Sequence, residues 1–316
     1  MAEPLDYTAI RVATLRGDMK IPFDVYIKVG AKHILYCRAG DSFEGARLER
    51  LRSKRLLKMH VSKADEIAYA QYLEQNLDSA YTDKPPRDMS IRTEVIQGFQ
   101  QAATEDYFDD PLDEFTYKHL RSSAQRFVQF LEAEPEGIKA LLQIKNPDNS
   151  ISHHGVTVAT LAVALVIECG MREGTQVHMF AMGCLLHDME HYLTGANVGR
   201  PLTELSPQEM AVYKEHPLAA ARRLQSVTFV DQIVLNVITQ HEELMNGSGF
   251  PKGLREREMD PLILIAGLAN TYDRLVTFER LAPKDALKKL LIDNLGLYPL
   301  AHIKALQNIL KRLQIV

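Results

Sequence analysis

The stretch Phe180-Ala-Met-Gly-Cys-Leu-Leu-His187-Asp188 is the most informative part of this sequence. An apolar run ends in a histidine that is followed at once by an aspartate. This order places a nitrogen donor and a carboxylate on one short stretch of backbone, and a carboxylate can bridge two cations through its two oxygens. Two-metal hydrolytic sites need such a group, because their paired ions hold the attacking hydroxide between them. A single His-Asp pair is common by chance, so the interpretation depends on the rest of the chain.

Further donors stand on both sides of this pair. His154 precedes a helical run at residues 156–168, His216 stands directly before a proline, and His241-Glu242 closes another helical run. Imidazole and carboxylate are common ligands of iron, manganese, zinc and nickel, whereas a thiolate-rich set favours zinc or an iron–sulfur cluster. The pattern therefore predicts a metal site built from nitrogen and oxygen donors.

The order and spacing of these residues resemble the HD-GYP family, a branch of the HD superfamily that hydrolyses cyclic di-GMP. The family pattern has a lone His, the His-Asp pair, a His before Pro, a His-His-Glu segment, a Gly-Tyr-Pro triplet and a closing Ala-Asp-x-x-Asp-Ala-Leu segment. These parts fall in order on His154, His187-Asp188, His216, and residues 241–243, 249–251 and 269–275. The resemblance covers residues 140–285, which is nearly half of the chain.

The resemblance implies a site with two divalent metal ions, iron first, with manganese, nickel or zinc as alternatives. The implied metal ligands are His154, His187, Asp188, His216, His241, Glu242 and Asn270. Asp188 is expected to bridge the ions. His154 and His187 serve one ion, with Asn270 as a weak ligand, and His216, His241 and Glu242 serve the other.

The remaining site residues are also expectations from the resemblance. Asp188 and His191 are expected to be catalytic, with His191 replacing a family lysine as a cation near the scissile phosphate. Lys252 and Asp273 are expected to contact the substrate.

Several positions depart from the family pattern. The signature Tyr is Phe250, the second His of the pair is Glu242, and the last metal Asp is Asn270. Glu242 adds a negative charge and Asn270 removes one, so we expect metal binding to survive. The basic residues that grip the dinucleotide in active relatives have no clear counterpart in residues 279–282.

Two functions follow from this mixture of matches and departures. The first is a binuclear-metal phosphodiesterase that hydrolyses cyclic di-GMP, or a related phosphodiester, through a metal-bridging hydroxide, with weak activity as one form of it. The second is a catalytically weak or inactive metal-bearing HD-GYP module for signalling or binding. The ligand set favours the first function, whereas the lost Tyr and the missing basic residues favour the second.

Composition narrows the classes of partner. The chain has 316 residues, enough for two domains, and its net charge of −4 argues against a nucleic-acid partner. The opening residues lack the basic and apolar regions of a signal peptide, and no run reaches the roughly 18 apolar residues of a membrane helix. Cys37, Cys169 and Cys184 show no paired spacing, which is typical of buried thiols in a reducing compartment. We therefore expect a cytoplasmic location and no membrane partner.

The hydrophobic pattern predicts a mainly α fold, in which an all-helical HD-type metal-binding domain follows a small α+β domain. The predicted boundaries are a regulatory or partner-binding domain at 1–82, a linker at 83–90 and the helical HD-GYP domain at 91–316. Alternating apolar residues predict strands at 23–29, 33–37 and 56–61, and helical spacing predicts helices at 48–51 and 64–77.

Two surfaces are left with alternatives. The basic residues at 47–58 suit an anion or a protein partner, or they form a solvated helix face. The Leu and Ile stripe of residues 284–316 predicts two amphipathic helices, which form either core or the surface of a homodimer.

Overall fold

A computed structural model of the chain describes residues 6–44, 46–54, 56–84, 86–146, 149–171 and 176–316. Residues 1–5 of the opening segment, Arg55 of the basic segment and Pro85 of the predicted linker lie outside these ranges. The chain forms two compact units, divided between Ala102 and Ala103. Each unit is described separately below.

The first unit contains an antiparallel sheet with the strand order β1-β4-β2-β3. Its strands are β1 Tyr7–Arg11, β2 Val25–Val29, β3 Lys32–Cys37 and β4 Lys58–Ser62. Gly30 adopts a φ of 59° in the β2–β3 turn, a left-handed conformation that glycine adopts at little cost. The three strands predicted from the sequence are confirmed. β1 was missed because its short segment lacks sustained alternation and pairs with β4, which is distant in sequence.

Two helices pack against this sheet and contribute Leu48, Leu51 and Tyr72 to the core of the first unit. They are α1 Arg47–Ser53 and α2 Glu66–Thr82, which confirm the two helices predicted here. Phe23 is fully buried, and its ring meets that of Tyr72 from α2 edge to face at 5.4 Å. The predicted linker at 83–90 begins after α2, but its last two residues belong to α3 Met89–Asp109. The division between the units lies within α3.

The second unit is helical. Its helices are α4 Glu114–Ala133, α5 Pro135–Leu142, α6 Ile151–Glu168, α7 Val177–Leu186, α8 Met189–Thr194, α9 Pro207–Leu224, α10 Gln232–Gln240, α11 Pro261–Thr277, α12 Pro283–Ile292 and α13 Leu300–Arg312. The predicted mainly α class, with a small α+β part at the start, is confirmed. The C-terminal stripe also forms two helices, as predicted.

Helix α6 lies at the centre of the second unit and contacts α4, α5, α7, α8, α11 and α13. By length and hydropathy it would suffice to cross a membrane, but 78% of it is buried inside the unit. It also begins earlier than the predicted start at residue 156. The Ser150 hydroxyl caps the helix by accepting a hydrogen bond from the backbone N–H of His153. This earlier start brings His154 onto the first turn of the helix.

The start of α9 follows from its sequence. Ser206 and Glu209 form the predicted capping box, and Pro207 occupies the first turn, where its missing N–H costs no helical hydrogen bond. A second proline, Pro217, lies inside the same helix directly after His216.

Candidate metal centre

Six helices of the second unit converge on one buried cluster of donors. The residues that meet are His154 on α6, His187 and Asp188 between α7 and α8, His216 on α9, His241 and Glu242 after α10, and Asn270 on α11. All except Glu242 are at most 2% exposed, whereas the Glu242 side chain is 17% exposed. The structure therefore brings together every residue that was predicted as a metal ligand.

Asp188 lies in the middle of this cluster, with its two oxygens facing different histidines. Oδ2 lies 3.5 Å from Nε2 of His187 and 3.7 Å from Nε2 of His154. Oδ1 lies 3.4 Å from Nε2 of His216 and 3.6 Å from Nε2 of His241. Two ligands of one ion, each about 2.1 Å from it, lie roughly 3 to 4 Å apart. The two sides of Asp188 thus match the two sets of ligands expected from the sequence.

The second ring nitrogen of each histidine is bound elsewhere. Nδ1 of His187 donates to the carbonyl of Cys184 at 2.7 Å, and Nδ1 of His241 lies 3.1 Å from the carbonyl of Val237. A carbonyl oxygen can only accept, so these contacts place the proton on Nδ1 and leave the lone pair on Nε2. Hydrogen bonds of this kind fix the tautomer and the ring orientation of histidines that bind metals.

His216 obtains its partner through the proline that follows it. Pro217 has no N–H, so it cannot donate to the carbonyl of Tyr213 as an ordinary helical residue would. Nδ1 of His216 donates to that carbonyl instead, at 2.5 Å. The His-Pro order therefore turns Nε2 of His216 towards Asp188.

Asn270 joins the two sides of the cluster. Its Nδ2 donates to Oε1 of Glu242 at 3.2 Å, which orients the amide and leaves Oδ1 3.0 Å from Nε2 of His154. Oε1 of Glu242 also accepts a hydrogen bond from the hydroxyl of Tyr213. The two residues that depart from the family ligands are therefore hydrogen-bonded to each other.

The donor chemistry of the cluster fits a cation. Nε2 of His187, Oδ2 of Asp188 and Nε2 of His191 are buried and have no hydrogen-bond partner among the described residues. Nε2 of His216 lies 3.0 Å from Nε2 of His241, and two ring nitrogens at this distance need a proton or a cation between them. Buried polar atoms rarely remain without partners. Among the described residues, three groups of donors lie close enough to hold an ion: His154–His187–Asp188, Asp188–His191–His216 and His216–His241–Glu242.

The protonation states of His187, His216 and Asp188 also suit metal binding. Burial lowers the pKa of His187 to about 3 and holds the pKa of His216 well below its usual range, so both rings are neutral at pH 7. The pKa of His241 is raised. Burial alone would lower this pKa, but the hydrogen bond with Asp188 and the charge of Glu242 together have the larger effect. Burial also works to raise the pKa of Asp188, yet the surrounding histidines, His187 first, outweigh it and hold that pKa well below its usual range. The central carboxylate is therefore ionised.

His191 differs from the cation expected from the sequence. Burial lowers the pKa of His191 to about 4, so its imidazole is neutral at pH 7. Its Nε2 lies 3.8 Å from Oδ1 of Asp188, and its ring stacks on that of Tyr213 with centroids 5.3 Å apart. In this position His191 offers a lone pair to the cluster instead of a positive charge.

Asp273, which was expected to contact the substrate, is buried and hydrogen-bonded within the cluster. Its Oδ2 accepts a hydrogen bond from Nδ1 of His154 at 2.5 Å, and its Oδ1 accepts one from the hydroxyl of Thr277 at 3.0 Å. Both oxygens are engaged and the residue is 4% exposed. Asp273 therefore orients His154. The loop at residues 246–254 is rich in glycine and is called the glycine-rich loop. Lys252 lies on its surface, and the role of Lys252 as a substrate contact stays a prediction.

Replacing Asp273 by asparagine is expected to weaken metal binding about 10- to 100-fold, because the amide neither holds His154 in one tautomer nor supplies a negative charge. The measurement is competition for the bound metal with a chelator of known affinity. Thr277→Val removes the other partner of Asp273 and serves as the control, with an expected change of less than about threefold. Equal metal affinity in D273N and the unmodified protein would contradict this role.

Glu243 anchors the glycine-rich loop, a role that the sequence did not reveal. Its Oε1 accepts from the backbone N–H of Lys252 at 2.7 Å, and its Oε2 accepts from that of Leu254 at 2.8 Å. The backbone N–H of Phe250 in turn donates to the carbonyl of Glu242 at 3.1 Å. The loop with the Gly-Phe-Pro triplet is thus tied to the segment that carries two of the predicted ligands.

Arg274 and Tyr213 are further site residues that sequence reasoning missed. Both are buried, and the guanidinium carbon of Arg274 lies 5.1 Å from the centroid of the Tyr213 ring. One signal was present in the sequence: the closing Ala-Asp-x-x-Asp-Ala-Leu pattern has alanine where this chain has Arg274. No comparable signal marked Tyr213, which lies one helical turn before His216.

Comparison with known proteins agrees with this site. The family model described as HD domain matches residues 192–293. The chain is 24% identical over 143 residues to the cyclic di-GMP phosphodiesterase PA4108 of Pseudomonas aeruginosa, which is 45% of this chain and 34% of that protein. It is 26% identical over 123 residues to the cyclic di-GMP phosphodiesterase PdeB of Borreliella burgdorferi, covering 39% of this chain and 32% of PdeB. The chain thus spans about a third of the length of these curated relatives.

A solved structure matches almost the whole chain. It is that of Bd1817, an HDG"Y"P protein from Bdellovibrio bacteriovorus, with 44% sequence identity and a TM-score of 0.91. The match covers 97% of this chain and 100% of the other. Together with the ordered set of histidines and carboxylates around Asp188, this likeness shows that the chain belongs to the HD-GYP family.

Proposed function

We propose that the second unit hydrolyses a phosphodiester bond of cyclic di-GMP with two divalent metal ions held by the buried cluster. The observation that carries this proposal is the position of Asp188, whose two oxygens each face Nε2 atoms of two histidines. A carboxylate in this position can be shared between two ions. The substrate is inferred from the relatives, which are cyclic di-GMP phosphodiesterases.

In the proposed site His154 and His187 would hold one ion, with Asn270 as a weak ligand, and His216, His241 and Glu242 would hold the other. The ions would supply an activated water and neutralise charge on the phosphoryl oxygens. Tyr213 keeps Glu242 in place through its hydroxyl. The water oxygen is added to phosphorus, the bond from phosphorus to the 3′ oxygen breaks, and the departing oxygen takes up a proton, which gives a linear dinucleotide.

Iron is the metal that we propose first, with manganese, nickel and zinc as alternatives. The donors are imidazole nitrogens and carboxylate or amide oxygens, and the cluster includes no thiolate. Cys184, the buried cysteine nearest in sequence, takes part only through its backbone carbonyl. Such a donor set suits iron, manganese, nickel and zinc, so the ligands alone do not select among these metals.

A metal-bearing module that binds the dinucleotide without cleaving it is the second candidate. The observation that favours it is the replacement of the signature Tyr by Phe250, whose ring lies 6.0 Å from that of Tyr213 and 6.3 Å from that of His216. A ring at the site without a hydroxyl loses one hydrogen bond to substrate, about 0.5–1.5 kcal/mol net. That loss weakens substrate handling more than it weakens the fold.

Turnover distinguishes the two candidates. The full chain, loaded with iron or manganese, is incubated with cyclic di-GMP, and the nucleotides are separated by chromatography. A linear dinucleotide or GMP supports the phosphodiesterase, whereas binding of intact cyclic di-GMP without product supports the module. Hydrolysis of a simple aryl phosphodiester, together with neither binding nor cleavage of cyclic di-GMP, would contradict the proposed substrate.

Two expectations about partners stay predictions. In the first unit, the edge strand β3 leaves Ile34 53% exposed and Leu35 37% exposed, which is compatible with a protein partner. In the second unit, α12 and α13 bury Leu290 and Leu306 in the core but leave Ile292 61% exposed, and a homodimer formed through this surface stays a prediction.

A further inference from the structure

Arg274 is a buried cation that forms no salt bridge among the described residues, although Asp188, Glu242 and Glu279 attract it at longer range. It is 6% exposed, and no ion pair joins it to a carboxylate among the described residues. Its Nη2 makes one long hydrogen bond, 3.4 Å to the carbonyl of Val198, and its Nη1 has no partner in the described part of the chain. An arginine remains charged at any ordinary pH, and burying an unpaired charge costs several kcal/mol. A position of this kind is typical of a group that awaits an anion.

Aromatic rings hold the Arg274 guanidinium beside both sides of the metal cluster. Its central carbon lies 5.1 Å from the ring centroids of both Tyr213 and Phe278. The ring of Phe278 contacts that of His154 at 5.0 Å, and the ring of Tyr213 contacts that of His216 at 5.4 Å. The two rings therefore connect Arg274 to one histidine from each side of Asp188. Aromatic faces bind a guanidinium without using its N–H donors, which remain available to a ligand.

We propose that Arg274 binds a phosphate oxygen of the substrate and positions the phosphodiester over the cluster. This inference rests on the proposed function, because it assumes that the cluster acts on a phosphodiester. The planar guanidinium matches the geometry of phosphate oxygens, and its charge-assisted hydrogen bonds are stronger than neutral ones. Arg274 would thereby supply positive charge directly beside the cluster, through the rings that connect it to His154 and His216.

Binding of inorganic phosphate to the metal-loaded full chain tests this role without turnover. Calorimetry is carried out on the unmodified protein and on Arg274→Met and Arg274→Lys. We expect phosphate to bind about tenfold more weakly to R274M and several-fold more weakly to R274K, because lysine keeps the positive charge but lacks the paired N–H donors of the guanidinium. The metal content of both variants should be unchanged. In the cyclic di-GMP assay, KM should rise more than kcat falls. The control is Arg222→Met, which removes an exposed charge from the surface of α9. This variant should bind phosphate as the unmodified protein does.

Each result decides the proposal. Phosphate affinity of R274M within twofold of the unmodified protein would overturn it, and so would loss of the metal in R274M, since that would make Arg274 a support for the cluster. If R274M does not fold, Arg274→Ala, which restores the residue of the family pattern, replaces it under the same criteria. Phosphate binding that depends on Arg274 in a protein that does not cleave cyclic di-GMP would support the anion site while contradicting the proposed function. Cleavage of cyclic di-GMP by R274M with unchanged kcat and KM would support the proposed function and contradict the role of Arg274.

Discussion

Replacing Asp188 by asparagine is expected to reduce the metal content below one equivalent and to lower kcat for cyclic di-GMP by about a thousandfold. Asparagine has nearly the same volume, so the fold should persist. It offers one neutral carbonyl oxygen in place of two anionic oxygens, and both sides of the cluster depend on those oxygens. The measurements are elemental analysis and steady-state kinetics on protein whose circular dichroism matches that of the unmodified chain.

The matched control for this substitution is Asp285→Asn, an exposed carboxylate in the first turn of α12. It removes the same charge from the same unit without touching the cluster. We expect metal content and kcat to remain unchanged. If D188N kept two equivalents of metal and full activity, the central place given to this carboxylate would be wrong.

Gly155→Ala is expected to destabilise the second unit by about 3 kcal/mol and to lower its Tm by about 10 °C. A Cβ at Gly155 would lie 2.6 Å from the carbonyl oxygen of Leu185, which is backbone and cannot rotate away. Helices α6 and α7 would have to separate at the point where they bring His154 towards His187. Alanine favours a helix over glycine by about 1 kcal/mol, so the expected loss opposes the intrinsic preference.

Thermal unfolding and metal content are measured together for this variant. The control is Thr157→Ala, two residues further along α6 and therefore on another face of the helix. We expect its Tm to change by less than about 2 °C, because side chains away from tight contacts contribute little. A G155A protein as stable as the unmodified chain, with the same metal content, would show that the close approach of the two helices is dispensable.

The resemblance to the HD-GYP family, which the order of histidines and carboxylates along the chain carries, predicted which residues meet. His154, His187, Asp188, His216 and His241 are far apart in sequence, yet each stands at the end or on one face of an apolar helix, and such helices must pack together. The helical class followed from the same pattern. The start of α6 was misplaced because the polar segment around Ser150 was not recognised as a cap.

The finer arrangement of the site could not be predicted, because it depends on partners that only the folded chain supplies. The tautomers of His187 and His241 are set by backbone carbonyls, and no side-chain pattern reveals them. Asp273 was expected at the substrate but orients His154, since a carboxylate on the same helix as Asn270 can face either way. His191 was expected to be a cation, but its burial, which makes it neutral, appears only in three dimensions.

The most direct test of the central claim, that the cluster around Asp188 is a two-metal centre, is the metal content of the full chain purified without chelators. Elemental analysis is expected to find about two equivalents of iron or manganese, before or after loading with either metal. The same analysis on D188N should find less than one. Fewer than one equivalent in the unmodified protein, not restored by added iron or manganese, would contradict the two-metal centre and the phosphodiesterase proposed from it.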